Sequence, residues 1–330
     1  MTGRSVLVTG GAGFIGSHFC KALARRGALP VALDNLGNGR AEFVKWGPLV
    51  VADIADGPLL RSLVQQYGLR EAIHFAAFAE VEQSMREPAL YYENNLAKSV
   101  ALISTLRAAG IERLVFSSSC SVYGVPDRLP VAESTPPNPI NPYGESKLAV
   151  ERLLLAYDRA YGLRSVSLRY FNAAGSDLDG EIGEWPRRVQ TRLIPRVLQA
   201  ALGVIPELLV HGDNHPTRDG TAVRDYVHVG DIAEAHLLAL DYLEAGGAST
   251  ILNLGTGAGH SVREIIAAAE AITGRAVPRR FAPARPGDPP ELVADTGRAG
   301  QLLGWRPTRS DLGTIIGSAW SWQRKISAAA

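Results

Sequence analysis

Cysteine is scarce in this 330-residue chain, which holds only Cys20 and Cys120. Neither belongs to a CxxC pair or to a cluster with histidine, which argues against a disulfide framework and a structural zinc site; no metal is expected. A reducing, cytoplasmic setting is the expectation. Net charge is missing too, since 34 basic and 33 acidic side chains leave a formal +1. So balanced a chain has no general field for nucleic acid or an anionic membrane, so neither is expected as a partner, and any affinity for anions must be local. No uninterrupted apolar run is long enough to span a bilayer. The apolar residues 6–8 run straight into glycines, not into the small-residue cleavage site of a secretory leader, so a soluble protein is expected.

What is present points to a globular enzyme with a substantial core: 46% hydrophobic and 20% charged residues. The first half alternates short β-branched runs with longer helical patterns. That rhythm predicts an α/β fold, a doubly wound parallel sheet of Rossmann type. Strands are expected over 5–9, 30–34, 49–52, 72–75, 114–118 and 165–169, and helices over 14–26, 58–67, 91–109 and 143–161. Gly27, Gly110 and Gly162 each follow a helix at once and suit a left-handed C-cap. After Asn172 the rhythm breaks: a Gly- and charge-rich stretch precedes a helix near 193–202, a strand at 208–211 and a Pro/Gly-rich loop over 282–290. The expected organisation is a dinucleotide-binding domain over 1–172 and a smaller C-terminal substrate-binding lobe over 173–330. Segments around 224–258 are expected to return to the main domain.

The first strand leads into Gly10-Gly11-Ala12-Gly13-Phe14-Ile15-Gly16, where a helix begins. Glycines there tolerate positive φ and let the backbone approach a diphosphate, whose charge is stabilised by free N–H groups at the helix N-terminus. Such a loop alone also fits a ligand-free strand-to-helix turn. Asp34, 24 residues after Gly10 at the end of the second strand, makes the case stronger. A carboxylate there accepts hydrogen bonds from an adenosine ribose and repels a 2′-phosphate, so NAD is expected over NADP, with Asn35 beside it. Asp53, followed by Ile54, closes the third strand, where it either reaches the adenine amino group or caps the next turn. Phe75, Ala76 and Ala77 end the fourth strand in largely small residues that leave room for the cofactor. His74, just before them, is expected to be a buried core histidine.

The catalytic candidates are Tyr143 and Lys147, in Tyr143-Gly-Glu-Ser-Lys147, together with the serines Ser117-Ser118-Ser119 at a strand end. Residues four apart on a helix share a face, so the phenol and the ammonium line one pocket. A tyrosine of ordinary pKa, about 10, is a poor base at neutral pH. A cation about 5 Å away at an effective dielectric of about 20 contributes roughly 3 kcal/mol, which is expected to lower that pKa by about 2 units. Ser119 is the expected partner of the reacting oxygen, with Ser118 and Ser121 as substitutes.

The run from Val6 to Gly16, the segment Phe116-Ser-Ser-Ser-Cys-Ser-Val-Tyr-Gly124, the pair Tyr143/Lys147 and Arg169-Tyr-Phe-Asn172 resemble the UDP-glucose/UDP-galactose 4-epimerase family of extended short-chain dehydrogenases/reductases. So do Asp219-Gly-Thr-Ala-Val-Arg-Asp-Tyr-Val-His228, Asn253-Leu-Gly-Thr-Gly257 and Arg285-Pro-Gly-Asp288, so the resemblance covers nearly the whole chain. It implies a UDP-sugar 4-epimerase with tightly bound NAD regenerated each turnover. It also implies roles. Ser117, Asn94 and Tyr170 would join the cofactor site. Arg224 and Arg285 would hold the substrate diphosphate, Asn172 the nucleotide-sugar and Asp288 the uridine ribose. Leu193, Leu209, His211 and Tyr226 would line the nucleotide site. A homodimer through helices 91–109 and 143–161 is implied, with Leu153, Leu154 and Ala156 as candidate contacts or, equally, as residues facing the sheet.

Three positions depart from the family pattern. Ala79 stands where the family often has a cofactor-phosphate lysine, His211 replaces an aromatic beside the uracil, and Leu292 stands where a tyrosine excludes N-acetyl sugars or a small residue admits them. The resemblance leaves UDP-N-acetylhexosamines and UDP-pentoses as alternative substrates. A 4,6-dehydratase is disfavoured because Cys120-Ser121 occupies the place of its Asp-Glu pair. A non-catalytic NAD-binding sensor predicts a broken Tyr/Lys/Ser set, and here all three are present. An ordinary dehydrogenase would exchange NAD freely.

Overall fold

Short strands apolar on both faces need cover on both sides, and the computed structural model, which describes residues 3–186, 191–284 and 289–328, supplies it. The first half runs β1 (Ser5–Thr9), α1 (Phe14–Arg25), β2 (Leu29–Asp34), β3 (Leu49–Val51), α2 (Gly57–Tyr67), β4 (Glu71–His74), α3 (Val81–Arg86), α4 (Pro88–Tyr91), α5 (Lys98–Ala109), β5 (Arg113–Ser119), α6 (Pro142–Tyr161) and β6 (Arg164–Tyr170). The second half follows with β7 (Asn172–Ala174), α7 (Leu193–Leu202), β8 (Leu208–His211), β9 (Val223–His228), α8 (Val229–Glu244), β10 (Thr250–Leu254), β11 (Gly259–Ser261) and α9 (Val262–Thr273). It ends with β12 (Arg279–Ala282), β13 (Glu291–Leu292), α10 (Gly297–Leu303) and α11 (Leu312–Ala328).

Seven strands form one sheet in the order β10-β6-β5-β4-β1-β2-β3, and every pairing in it is parallel. Alternation along each strand divides the apolar side chains. Val6 and Val8 face Phe19 and Leu23 of α1 and Leu240 of α8. Leu7, Val31 and Leu33 face Leu63 of α2, Leu106 of α5 and Leu154 of α6. The order reverses between β1 and β4, and ligands of such sheets bind at the carboxyl ends beside that switch point. The remaining strands form β11-β9-β13, with β7 also on β9, and the pair β12-β8. There α7, α9 and α11 share a separate core with Val210 and Tyr226.

The first-half strands and helices 193–202 and strand 208–211 lie where the sequence patterns put them, within a residue or two. The helix expected over 91–109 is a correction: α4 ends at Tyr91, residues 92–97 form a π turn, and α5 follows. Buried Asn95 clamps the turn, accepting from the Phe78 amide and donating to the Phe78 carbonyl, both at 2.9 Å. A wider turn of this kind re-aims neighbouring side chains, and Asn94 faces the cavity described below. Among the described residues no helix is long and apolar enough to cross a membrane.

Gly10 and Gly162 share a φ of +72°, but a Cβ on Gly10 would lie 2.7 Å from the Ala76 amide nitrogen, while one on Gly162 would meet nothing within 4 Å. Gly162→Ala should lower the unfolding free energy by about 1–2 kcal/mol, the strain of a left-handed residue. Gly10→Ala should cost about 1–3 kcal/mol more through overlap. Urea unfolding measures both, and equal losses would contradict this account of the loop.

Candidate active site

At the switch point the Gly10 amide donates to the Leu33 carbonyl (2.8 Å) and the Gly13 amide to the Gly10 carbonyl (3.0 Å), so the loop folds tightly over β1 and β2. A Cβ on Gly16 would lie 2.1 Å from the Gly10 oxygen, which makes that crossing specific for glycine. The N-cap of α1, Gly13, has no side-chain cap, and the first turn carries no acid. Those free N–H groups and the positive helix end fit a dinucleotide diphosphate. Asp34 accepts from the Ala12 amide (3.0 Å) and the Leu36 amide (2.8 Å), so it orients the glycine loop as well as closing β2. Burial raises its pKa, and these two N–H groups oppose the rise.

Asp53 pairs with Lys98 (2.6 Å) and accepts from the Ala55 amide, a turn-capping bond. Burial pushes its pKa up, but the Lys98 and Ala55 bonds win and hold it below the usual value. His74 sits in the core between the hydroxyls of Thr9 (2.7 Å) and Ser99 (2.9 Å), and desolvation drives it down to about 3. It is a neutral structural link, as its sequence context indicated.

The catalytic candidates are gathered by the start of α6. Asn141 caps the helix, accepting from the Gly144 amide at 2.9 Å, and Pro142 occupies the first turn. Gly144 has room only for hydrogen, because a Cβ would lie 2.5 Å from the Ser121 carbonyl oxygen. That close approach sets Tyr143 in the cavity wall with Ser119, whose hydroxyl opposes the rise in the phenol's pKa. One turn later Lys147 donates to the Ser117 carbonyl (2.7 Å) and lies 4.9 Å from the Phe116 ring centre and 5.9 Å from that of Tyr143. Ser118 turns away and donates to Glu151, so of the substitutes for Ser119 only Ser121 borders the cavity.

The expected acidification of the phenol is not what the structure shows. Burial pushes Tyr143 up to about 12, opposed by Ser119 and by the charge of Arg192. Burial pushes Lys147 down to about 7, with Glu151 opposing. The sequence estimate counted the attraction between the groups and omitted the desolvation of each, which dominates once both are enclosed. In this pocket the ammonium is the stronger acid.

These residues share a cavity of about 1220 Å³ with Gly10, Gly13, Phe14, Ile15, Gly16, Asp34, Asn35, Asp53, Ile54, Phe75, Ala76, Ala77, Asn94 and Tyr170. The same cavity is lined by the substrate candidates Asn172, Leu193, Leu209, His211, Arg224, Tyr226 and Leu292. Asn172 pairs with Tyr226 across β7 and β9, and Arg224 with Leu292 across β9 and β13. Arg285 and Asp288 lie outside the described residues. Leu154 is a core residue under the sheet and Leu153 packs beside it, whereas Ala156 is exposed.

The sequence reading missed Glu80, Glu184, Thr191 and Arg192, which also border the cavity. Arg192 lies 3.4 Å from Glu184 and 5.7 Å from the Phe14 ring centre, and the Thr191 hydroxyl bonds Glu80. They sit in or beside a segment without periodicity, so nothing in the local pattern marks them. The acidic group Asp177, Asp179 and Glu181 surrounds the Lys21 ammonium at 2.7, 2.8 and 2.5 Å, so a cation of the chain itself already occupies it.

Residues 6–255 match the NAD dependent epimerase/dehydratase family. The chain belongs to that family. It is 47% identical to a UDP-glucose 4-epimerase of Rhizobium leguminosarum bv. trifolii, over 98% of this chain and 99% of that one. The UDP-glucose 4-epimerase of Brucella ovis, solved in complex with NAD, superposes with a TM-score of 0.94 at 48% identity, over 96% of this chain and 97% of that one. That of Stenotrophomonas maltophila, solved with NAD and formylated UDP-arabinopyranose, gives 0.96 at 43% identity, over 99% and 100%. The resemblance and the Rossmann-type fold read from the sequence both stand. The protein is an NAD-dependent enzyme of this family, and the glycine cradle and Asp34 fit that cofactor.

Lys147 has an ordinary pKa of 10.5 and a folded value of about 7. Between those values the unfolded chain binds the extra proton, so this group makes stability rise with pH, by at most about 1.4 kcal/mol per unit. The penalty of the buried charge is full below pH 7. Lys147→Met should therefore gain most over the parent at pH 6 and lose that advantage by pH 10. A stability difference that stays flat across the range, measured by denaturant unfolding, would overturn the assignment.

Proposed function

We infer that the enzyme is a UDP-glucose 4-epimerase, interconverting UDP-galactose and UDP-glucose by oxidation at C4, rotation of the 4-keto sugar and re-reduction. The observation that carries this is the junction of Tyr143, Ser119 and Lys147 with a glycine cradle and Arg224 in the lining of a single cavity. Full-length identity of 40–48% to proteins named UDP-glucose 4-epimerase supports it. Residues 1–172 form the cofactor-binding half on this reading, and 173–330 carry the substrate lobe.

NAD, held throughout, supplies the hydride acceptor and donor and a positive charge beside the phenol, so the net redox change is zero. Tyr143, as the phenolate, would take the proton of the sugar 4-hydroxyl and give it back to that oxygen once hydride has returned to the opposite face of C4, while Ser119 would hold the reacting oxygen. Burial raises the phenol, so its ionisation to the base form would depend on the positive charge of Lys147 and of bound NAD. Lys147 would help hold the cofactor and would add positive charge to the pocket it shares with Tyr143. Arg224, with Arg285, grips the diphosphate, and bidentate geometry suits arginine to that task. The hexose itself needs loose contacts, because it must turn over between the two transfers.

Leu292 is buried among Cys120, Tyr123 and Phe171 and borders the cavity. Its size lies between a tyrosine and a small residue, which supports tolerance of N-acetyl sugars as a second activity. The arabinopyranose ligand of the Stenotrophomonas relative keeps UDP-pentoses as a further substrate class. A cytoplasmic homodimer built on α5 and α6 is part of the proposal, supported by the exposed Val100 and Leu155 on those helices.

Incubation with UDP-galactose, UDP-xylose and UDP-N-acetylglucosamine separately, with chromatography of products, tests the reading. UDP-galactose should yield UDP-glucose with no build-up of NADH, and Tyr143→Phe should lower kcat by about 10²–10⁴. Leu292→Tyr should abolish turnover of the N-acetyl substrate and spare UDP-galactose. Parent-like turnover by Tyr143→Phe, or no 4-epimer from any substrate, would sink it.

A further inference from the structure

Behind the catalytic face lies an ion pair that the mechanism above leaves unused. Glu151, one helical turn beyond Lys147, is 1% exposed and accepts from Arg169 of β6 through Nε (2.9 Å) and Nη2 (2.6 Å), and from the Ser118 hydroxyl. Arg169, 3% exposed, stacks over the Tyr123 ring at 4.7 Å. The Tyr123 hydroxyl donates to Asn253 of β10 (2.7 Å), whose side chain donates to the Val131 carbonyl (2.8 Å). None of Glu151, Arg169, Ser118 and Tyr123 borders the cavity.

A buried ion pair contributes little to stability by itself, because desolvation offsets the attraction, so its location matters more than its presence. Lys147 is faced from β5 by the Ser117 carbonyl and the Phe116 ring, and from β4 by His74, which is neutral above about 3. From α6 it is faced by Tyr143, a neutral phenol, and by Glu151; from β6 Arg169 is committed to Glu151. Among the described residues, Glu151, buried one turn further along α6 than Lys147, is thus the carboxylate that acts on it against its burial.

We propose that Glu151, clamped by Arg169 and Ser118, is a positioning residue: it is the counter-ion behind Lys147 and keeps that side chain an ammonium aimed at the Ser117 carbonyl. The clamp joins β5, α6 and β6, so the carboxylate cannot swing toward solvent. Its kinetic consequence rests on the epimerase reading. Loss of the anion lets Lys147 shed its proton at lower pH, and turnover then declines from a lower pH as the solution is made more alkaline.

The test uses the holoenzyme with lysine ¹³Cε labelling, the Lys147 signal being assigned by its loss in Lys147→Met. Glu151→Gln should move the Lys147 titration down by about one pH unit, the scale of one charge a helical turn away. Glu151→Gln/Arg169→Met, which leaves no unpaired buried cation, should move it in the same direction by less, because an opposing charge leaves with the anion. The alkaline limb of kcat should shift with it, and KM for the UDP-sugar should stay unchanged. An unmoved Lys147 titration in the folded double variant would overturn the proposal. So would a loss of kcat that is uniform in pH and tracks melting temperature, the mark of a merely structural pair. A parent that shows no epimerase turnover, with the titration still shifting in the variants, would refute the functional reading and leave the counter-ion role supported.

Discussion

Desolvation of one ammonium governs the rest of this site. Lys147 is enclosed by β5, the Phe116 ring and its own helix, and it stays there because the Ser117 carbonyl and the Glu151 carboxylate offset part of the cost. The same enclosure lifts Tyr143. A lysine that sheds its proton near neutrality beside a phenol that clings to its own is the reverse of their order in water. The chemistry of the pocket is a product of burial more than of the two side chains' proximity.

Neutrality of the whole chain gives this local arrangement its significance. With 34 basic and 33 acidic groups there is no long-range attraction to draw in a nucleotide, so anion recognition has to be built from individual contacts. The open N-terminus of α1, Arg224 on β9 and Arg192 at the head of α7 all border the one cavity, and they come from parts of the chain far apart in sequence. Elsewhere among the described residues many cations are engaged in pairs, as Lys21 is with its three carboxylates and Arg4 with Glu71 and Asp241.

The legible part of the fold was the part with a strict local period. Strands of the central sheet carry apolar residues on both faces, and helices 98–109 and 142–161 end at Gly110 and Gly162 in the left-handed region. The glycine loop was readable because only Gly avoids collisions at Gly10 and Gly16, and the Tyr143/Lys147 pair because a helix returns to the same face after four residues. The break at 92–97 was not readable, since it depends on Asn95 meeting the backbone of Phe78, a residue 17 positions away. Nor was Arg192, which becomes relevant only when Glu184 and Phe14 converge on it.

The sequence by itself determined the fold class, the family and the residue types that meet at the switch point of the sheet. Those follow from periodicity, from glycine at positions no other residue fits, and from spacing along one helix. The tertiary structure decided which serines border the cavity beside Tyr143, which charges lie near the phenol and where each proton prefers to sit. These depend on how much water is excluded around each group, and exclusion is set by elements such as β6 and β9 that lie far from Tyr143 along the chain.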